Sequence, residues 1–321
     1  MDAAGASRAV TAAPRARPET CRFVCVTGMH RSGTSAVARL ISMLGVHLGD
    51  ETGLIGSLPD NPEGFWERID IVRLNESLLH ALGGSWDDPP LPPERWDNWP
   101  RVASWQAMAE AAAGPLGGRG TLAGWKDPRT SLLLPFWATV VPLAPTILVV
   151  RQPAAVATSL AARNRLGPER SAYLWLRYTA AAWRDDPDRV VLHYEDLVDD
   201  PPAAAARLSS LLDLPPPSRS VLGSIQERVR RSSRQERKVE GGRLFAMAVD
   251  LHARIRAGDE GAVDEVVARL HASWEGARPA DRRIRRLRTI ARPVLPNGAR
   301  RRMRIRLGAV TSLPLRRACA R

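Results

Sequence analysis

Residues 22–44 read RFVCVTGMHRSGTSAVARLISML. Arg22–Thr27 is a short apolar run rich in β formers. Gly28–Gly33 follows as a loop whose two glycines enclose four residues. From Thr34 to Leu44 the apolar residues Val37, Leu40, Ile41 and Leu44 recur at helical spacing, and the run stops at Gly45. The stretch is therefore strand, loop, helix, in the outline of a phosphate-binding loop. Backbone N–H groups of such a loop, with the helix N-terminus, form a cradle for anions. The nucleotide-hydrolase version ends in Gly-Lys-Ser/Thr. Here Thr34 stands in the lysine position, and the cation, Arg31, lies inside the loop.

The alternation continues outward. Thr121–Trp125, Thr146–Val150 and Arg189–Tyr194 read as strands. Helices are expected over Gly64–Leu79 and Leu132–Thr139, and others open at Pro153 and at Pro201/Pro202. Gly83–Pro100 is a Trp- and Pro-rich loop with Trp86, Trp96 and Trp99, and the pattern beyond Pro215 is helical. Strands alternating with helices predict an α/β fold, a central parallel sheet flanked by helices, with a helical C-terminal part. Nucleotide hydrolases hold Mg²⁺ with an Asp at the end of a later strand. The matching strand here ends in Arg151, which repels a metal and attracts phosphate. The loop and this strand end together imply an anionic nucleotide held without a metal.

Composition sets the outer bounds. The 321 residues are 44% hydrophobic and 25% charged, within the globular range. The formal net charge of +13 is local: residues 277–321 hold fifteen Arg, no Lys and one Asp, leaving a net of −1 on residues 1–276. Three segments are expected: a disordered stretch over 1–20, a domain over 21–276 and a basic tail over 277–321. The tail is drawn to polyanions or to an anionic membrane surface. Only Lys126 and Lys238 stand against forty-five Arg, which marks Lys126 as a place where Arg does not serve. Cys21, Cys25 and Cys319 are too few for a disulfide framework, and Cys21 and Cys25 read as small core residues. The N-terminus has no apolar core of a signal peptide. Pro135, Pro142 and Pro145 interrupt the uncharged run Ser131–Val150, which reads as helix, turn and strand rather than a membrane span.

Four segments in chain order, GMHRSGTSAVARL (28–40), GWKDPR (124–129), LVVRQPAAVATSL (148–160) and HYEDL (193–197), resemble the sulfotransferase family. The likeness is greatest to bacterial members with an Arg-Ser-Gly-Thr-Ser loop and spans about Arg22 to Leu212. It implies a P-loop-like fold and 3′-phosphoadenosine 5′-phosphosulfate (PAPS) as donor, with no metal. It implies that Arg31, Ser32, Gly33, Thr34 and Ser35 hold the 5′-phosphosulfate, and that Arg151 and Ser159 hold the 3′-phosphate, with Arg163 a candidate beside them. Arginine suits both groups, being permanently charged with a forked donor set. Tyr194 matches the tyrosine that approaches the adenine, with a core tyrosine at a strand end as the alternative. Several members carry a stacking Trp where this chain has Ala36.

Lys126 matches a lysine that neutralises the bridging oxygen as the S–O bond breaks; pairing with Asp127 or Glu67 is the competing reading. The acceptor hydroxyl needs a base. Glu67 is the choice, because Phe65 and Trp66 can desolvate it; Glu63 and Glu51 are rivals. His30 is a phosphate contact or a packed side chain, and His80 fits poorly as a base. The Trp-rich loop, taken for this purpose as Gly83–Trp105, is expected to shape the acceptor pocket. The expected acceptor is a small-molecule, glycan or lipid hydroxyl, and no specific nucleic acid is implied. The expected location is cytoplasmic, peripheral at the inner membrane face if the tail binds lipid. Two other classes remain open: an ATP-dependent phosphotransferase, and a nucleic-acid- or membrane-binding protein acting through the tail. The former requires the missing Lys and the missing acidic strand end.

Overall fold

The computed structural model describes residues 21–56, 64–91, 102–118, 122–223 and 239–276. Residues 1–20, Glu63, Trp96, Trp99 and the basic tail lie outside them, with the expectations made for those positions. The chain divides into Met1–His271 and Ala272–Arg321, and the sheet lies in the first unit.

The four apolar runs become strands β1 (Arg22–Thr27), β2 (Leu122–Lys126), β3 (Ile147–Val150) and β4 (Val190–His193). They pair in parallel in the order β2-β1-β3-β4. Alternate residues of β1 feed two cores. Val24 and Val26 pack with Val37, Ile41 and Leu208 on one face. Phe23 and Cys25 pack with Leu74, Trp125 and Trp137 on the other. Both faces of the sheet are thus covered, which is why its strands read as continuous apolar runs.

Among the described residues the helices are α1 (Thr34–Met43), α2 (Ile69–Ala81), α3 (Val102–Ala113), α4 (Leu134–Ala138), α5 (Pro153–Asn164), α6 (Pro168–Asp185), α7 (Tyr194–Asp199), α8 (Pro201–Leu211), α9 (Arg243–Ala257) and α10 (Glu260–Gly276). The chain leaves β1 toward β2 on one side, whereas β3 leads to β4 on the other. The crevice at the carboxyl ends of β1 and β3 is therefore the switch point where ligands of open α/β sheets bind.

Several boundaries differ from those read in the sequence. The expected helix 64–79 is irregular over 64–67, with Gly64 and Trp66 at positive φ (83° and 57°), and helical only from Ile69. Leu54 bridges Arg68 antiparallel, and the Ile55 N–H donates to the Glu67 carbonyl at 2.8 Å, so this stretch pairs instead of coiling. The expected helix 132–139 splits into a 3-10 turn (Pro128–Leu132) and the short α4. The end of the expected Trp-rich loop is helical, since Trp105 belongs to α3. The long α6, with Trp175 and Tyr178 fully buried, was not anticipated.

Candidate active site

All four strands deliver residues to the crevice. The loop after β1 has Gly28, Arg31 and Gly33 at positive φ (122°, 72° and 90°). A Cβ on Gly28 would stand 2.4 Å from the Val149 carbonyl oxygen, so glycine lets the loop lie against β3. Arg31 carries a left-handed conformation that side chains disfavour, the kind of local strain that clusters at functional loops. The Gly28 N–H donates to Ser131 Oγ at 2.9 Å, which fastens the loop to the turn after β2. No side chain caps α1 and no acidic residue occupies its first turn. Its N-terminal dipole is left uncompensated, which favours an anion. Ser32 Oγ is buried there with no hydrogen-bond partner.

Arg31, Arg151, Ser159 and Tyr194 meet around this loop. Arg31 Nε donates to Ser159 Oγ at 2.8 Å, and Arg151 Nη1 donates to the Arg31 carbonyl at 3.2 Å. The Arg151 guanidinium lies 4.4 Å over the Tyr194 ring. That ring packs on Gly33 so closely that a Cβ there would stand 2.1 Å from Tyr194 Cδ2. Trp175 Nε1 donates to the Arg151 carbonyl at 3.0 Å, and the Gln152 N–H donates to Glu195 Oε1 at 2.9 Å. Thr34 is buried at the start of α1. Ser35 Oγ donates to the Phe65 carbonyl at 3.1 Å, tying α1 to the segment that carries Glu67.

Glu67 and Lys126 form the second group. Lys126 ends β2, opposite Val26 of β1. Its Nζ lies 2.5 Å from Glu67 Oε1, and the two residues are 2% and 8% exposed. Arg129 Nη1 is 4.0 Å from the other Glu67 oxygen, and Arg129 also pairs with Asp127 (2.7 Å) and Glu76 (2.6 Å). Burial pushes the Lys126 ammonium below its usual range, with the Glu67 carboxylate opposing the shift. Burial also works against the charge on Arg129, yet Asp127, Glu76 and Glu67 together hold its guanidinium above the ordinary arginine value. Behind this group, buried Asn75 donates to Asp127 Oδ2 (2.9 Å) and Thr130 Oγ1 (3.3 Å) and accepts from Trp137 Nε1 (2.9 Å). A fully satisfied buried network of this kind holds its members in one geometry.

His30 belongs to the loop after β1. Its ring packs on Trp86 (4.9 Å between centroids) and Tyr178 (5.6 Å), so it is the packed side chain of the two readings. Burial, then Arg129, Lys126, Arg163 and Arg31, hold its imidazole well below the usual value, hence neutral. Arg163 lies 4.9 Å over the Phe65 ring.

The structure thus brings Arg31, Gly33, Arg151, Ser159 and Tyr194 together, and pairs Glu67 with Lys126. The ion pair joins the two readings of Lys126. Phe65 is buried near Glu67, but the carboxylate's closest partners are cations, not aromatic rings. Trp66 instead sits under Arg39, 5.8 Å away. Glu51 is exposed on a 3-10 turn and His80 is exposed at the end of α2. The sequence reading missed Arg129, Asn75, Ser131, Trp175 and Glu195. Of these, Arg129 had a signal, since the Asp-Pro-Arg turn places Asp127 to cap its N–H at 3.0 Å.

A family model described as Sulfotransferase family matches residues 24–218, and the chain belongs to that family. It is thereby a transferase of the sulfotransferase class. Among solved structures, it is similar to sulfotransferase STF9 from Mycobacterium avium, with 14% identity and a TM-score of 0.40 over 80% of this chain and 77% of that one. The sulfotransferase domain from the Synechococcus PCC 7002 olefin synthase gives 16% and 0.37 over 75% and 96%. Sulfotransferase STF1 from Mycobacterium tuberculosis H37Rv gives 15% and 0.39 over 65% and 71%. Comparison with curated proteins gives no match.

Proposed function

We propose that the chain transfers the sulfuryl group of PAPS to a hydroxyl of a carbohydrate, glycolipid or secondary metabolite. The observation that carries this reading is the convergence of Arg31, Arg151, Ser159 and Tyr194 on an uncapped helix N-terminus, beside a buried carboxylate–ammonium pair. The loop N–H groups, the Ser32 hydroxyl and Arg31 bind the 5′-phosphosulfate. Arg151 and Ser159 take the 3′-phosphate, and Tyr194 lies toward the adenine in the absence of a Trp at Ala36.

In the transfer, Glu67 removes the proton from the acceptor hydroxyl as its oxygen bonds to sulfur. The bond from sulfur to the bridging oxygen breaks, and the electron pair leaves on adenosine 3′,5′-bisphosphate. Lys126 stabilises the charge that develops on that oxygen. The work is positioning and charge stabilisation, as in phosphoryl transfer. The resting Glu67–Lys126 pair opens when the acceptor enters, so each partner exchanges the other for a reacting oxygen. No helix among the described residues is long and apolar enough to cross a membrane. The basic tail seats the chain on an anionic membrane face when the acceptor is a lipid, and the chain works in the cytoplasm.

The test is thermal unfolding without metal, with adenosine 3′,5′-bisphosphate or with ATP and Mg²⁺, on the wild type and on Arg151→Ala. The bisphosphate at a hundredfold excess over Kd adds about 2.7 kcal/mol and raises Tm by about 5 °C. Arg151→Ala removes a charge-assisted contact of about 1.5–3 kcal/mol, hence about 10–100-fold in affinity. Stabilisation by ATP and Mg²⁺ alone, or by neither ligand, overturns the donor assignment; the former moves the phosphotransferase reading ahead.

A further inference from the structure

We propose that His193, Glu195 and His252 form a binding site for a divalent cation of the Zn²⁺ class, separate from the donor cradle. One ligand atom from each residue lies within 4.8 Å of the other two. His193 Nδ1, Glu195 Oε2 and His252 Nε2 are all buried without a hydrogen-bond partner. A buried polar atom left unpaired costs about 1–3 kcal/mol. Three of them, on residues that the fold gathers from two segments of the chain, are accounted for by a shared ligand. His193 is 8% exposed, so no bulk water satisfies its ring nitrogen.

The donor set selects the cation. Two imidazoles and one carboxylate suit Zn²⁺ and its borderline neighbours, not Mg²⁺ or Ca²⁺, which take oxygen ligands. Bonds of about 2.0–2.2 Å in tetrahedral array set ligand atoms about 3.4 Å apart. The three side chains therefore close inward around the ion, and a water fills the fourth position. The surroundings are arranged for this. Glu195 keeps its other oxygen on the Gln152 N–H at 2.9 Å, which orients the carboxylate as outer-sphere partners do. The His193 and His252 rings are nearly perpendicular, 6.0 Å apart. The nearby cation, Arg256, is paired with Asp196 at 2.5 Å, which offsets its repulsion of a metal. Burial, with Arg256 adding to it and Glu195 opposing, holds both imidazoles below the ordinary histidine value, in the neutral form that ligates.

The ion would fasten α9 to the corner between β4 and α7. That corner carries Tyr194, between two of the ligands in sequence, and Trp175 links His252 (6.3 Å between rings) to the Arg151 carbonyl. The site is thus a cross-link behind the crevice and takes no part in the transfer itself.

The test uses the full-length chain, stripped with EDTA and titrated calorimetrically with Zn²⁺. One equivalent binds, and thermal unfolding rises by about 5 °C at a hundredfold excess over Kd. His252→Ala and Glu195→Gln each weaken binding at least about 100-fold, more than loss of an outer-sphere partner costs. His271→Ala leaves it unchanged. On the wild type, Co²⁺ gives visible bands of nitrogen and oxygen ligation without thiolate charge transfer. No stoichiometric binding, binding that survives both substitutions, or a thiolate band pointing to the cysteines each overturns the proposal.

Discussion

Glu67→Gln isolates the buried pair at the centre of the site. The substitution keeps the side-chain volume and removes one charge. Lys126, 2% exposed, then faces an amide oxygen in place of a carboxylate at 2.5 Å. Breaking a buried pair from one side costs about 3–5 kcal/mol. The amide still accepts from Nζ, so the lower figure applies, about 3 kcal/mol. Arg129 adds little, because Asp127 and Glu76 continue to hold it. At about 2–4 °C per kcal/mol for a chain of this size, Tm falls by about 6–12 °C. The pH dependence carries a sign. Burial lowers the Lys126 pKa in the folded state, so between that value and the unfolded value the unfolded chain binds more protons. Stability therefore rises with pH through that window, and the deficit of Glu67→Gln shrinks as the pH rises toward the unfolded lysine value. The double substitution Glu67→Gln with Lys126→Met removes both charges and recovers most of the loss, giving a coupling of about 2–3 kcal/mol in the cycle. Turnover with PAPS and hydroxyl acceptors stays about 10²–10⁴-fold down in both variants, the contribution of a general base. The measurements are thermal unfolding across pH and the transfer rate. A single variant within about 1 °C of wild type refutes the buried-pair reasoning, and unchanged turnover refutes the base.

Three further outcomes follow from the geometry. Gly33→Ala at φ 90° puts a methyl group 2.1 Å from the Tyr194 ring, costs about 1–2 kcal/mol in backbone alone, and abolishes the Tm response to adenosine 3′,5′-bisphosphate. Gly28→Ala meets the Val149 carbonyl oxygen at 2.4 Å, a strand backbone that cannot step aside, so urea unfolding shows a larger loss than for Gly33→Ala. Asn75→Leu strips the partners from Trp137 Nε1 and Asp127 Oδ2, at about 2–4 kcal/mol by urea unfolding.

The alternation of strands and helices was legible because it rests on local periodicity and on prolines and glycines at element ends. The loop was legible for the same reason, since its glycines and Arg31 lie within six residues. The irregular stretch before α2 was not. Its apolar and acidic residues suit a helix, and it is the pairing with Leu54 and Ile55 that holds it out of a helix and delivers Glu67 to Lys126. Trp86 was legible only as a member of an aromatic loop, and its position against His30 depends on α6, whose Tyr178 hydroxyl holds the Trp86 carbonyl at 2.8 Å.

By itself, then, the chain of residues determined which segments are strands, that both sheet faces are covered, and which loop can hold an anion, because these follow from backbone sterics and side-chain order over short distances. Tertiary structure alone decided that Arg31 reaches Ser159, that Glu67 meets Lys126, and that His193 and Glu195 face His252. Those partners are 128, 59 and 57 to 59 residues apart in the chain. Nothing in local geometry joins residues so distant; only the packing of helices across one parallel sheet, driven by burial of its two faces, brings their charges and ring nitrogens within reach.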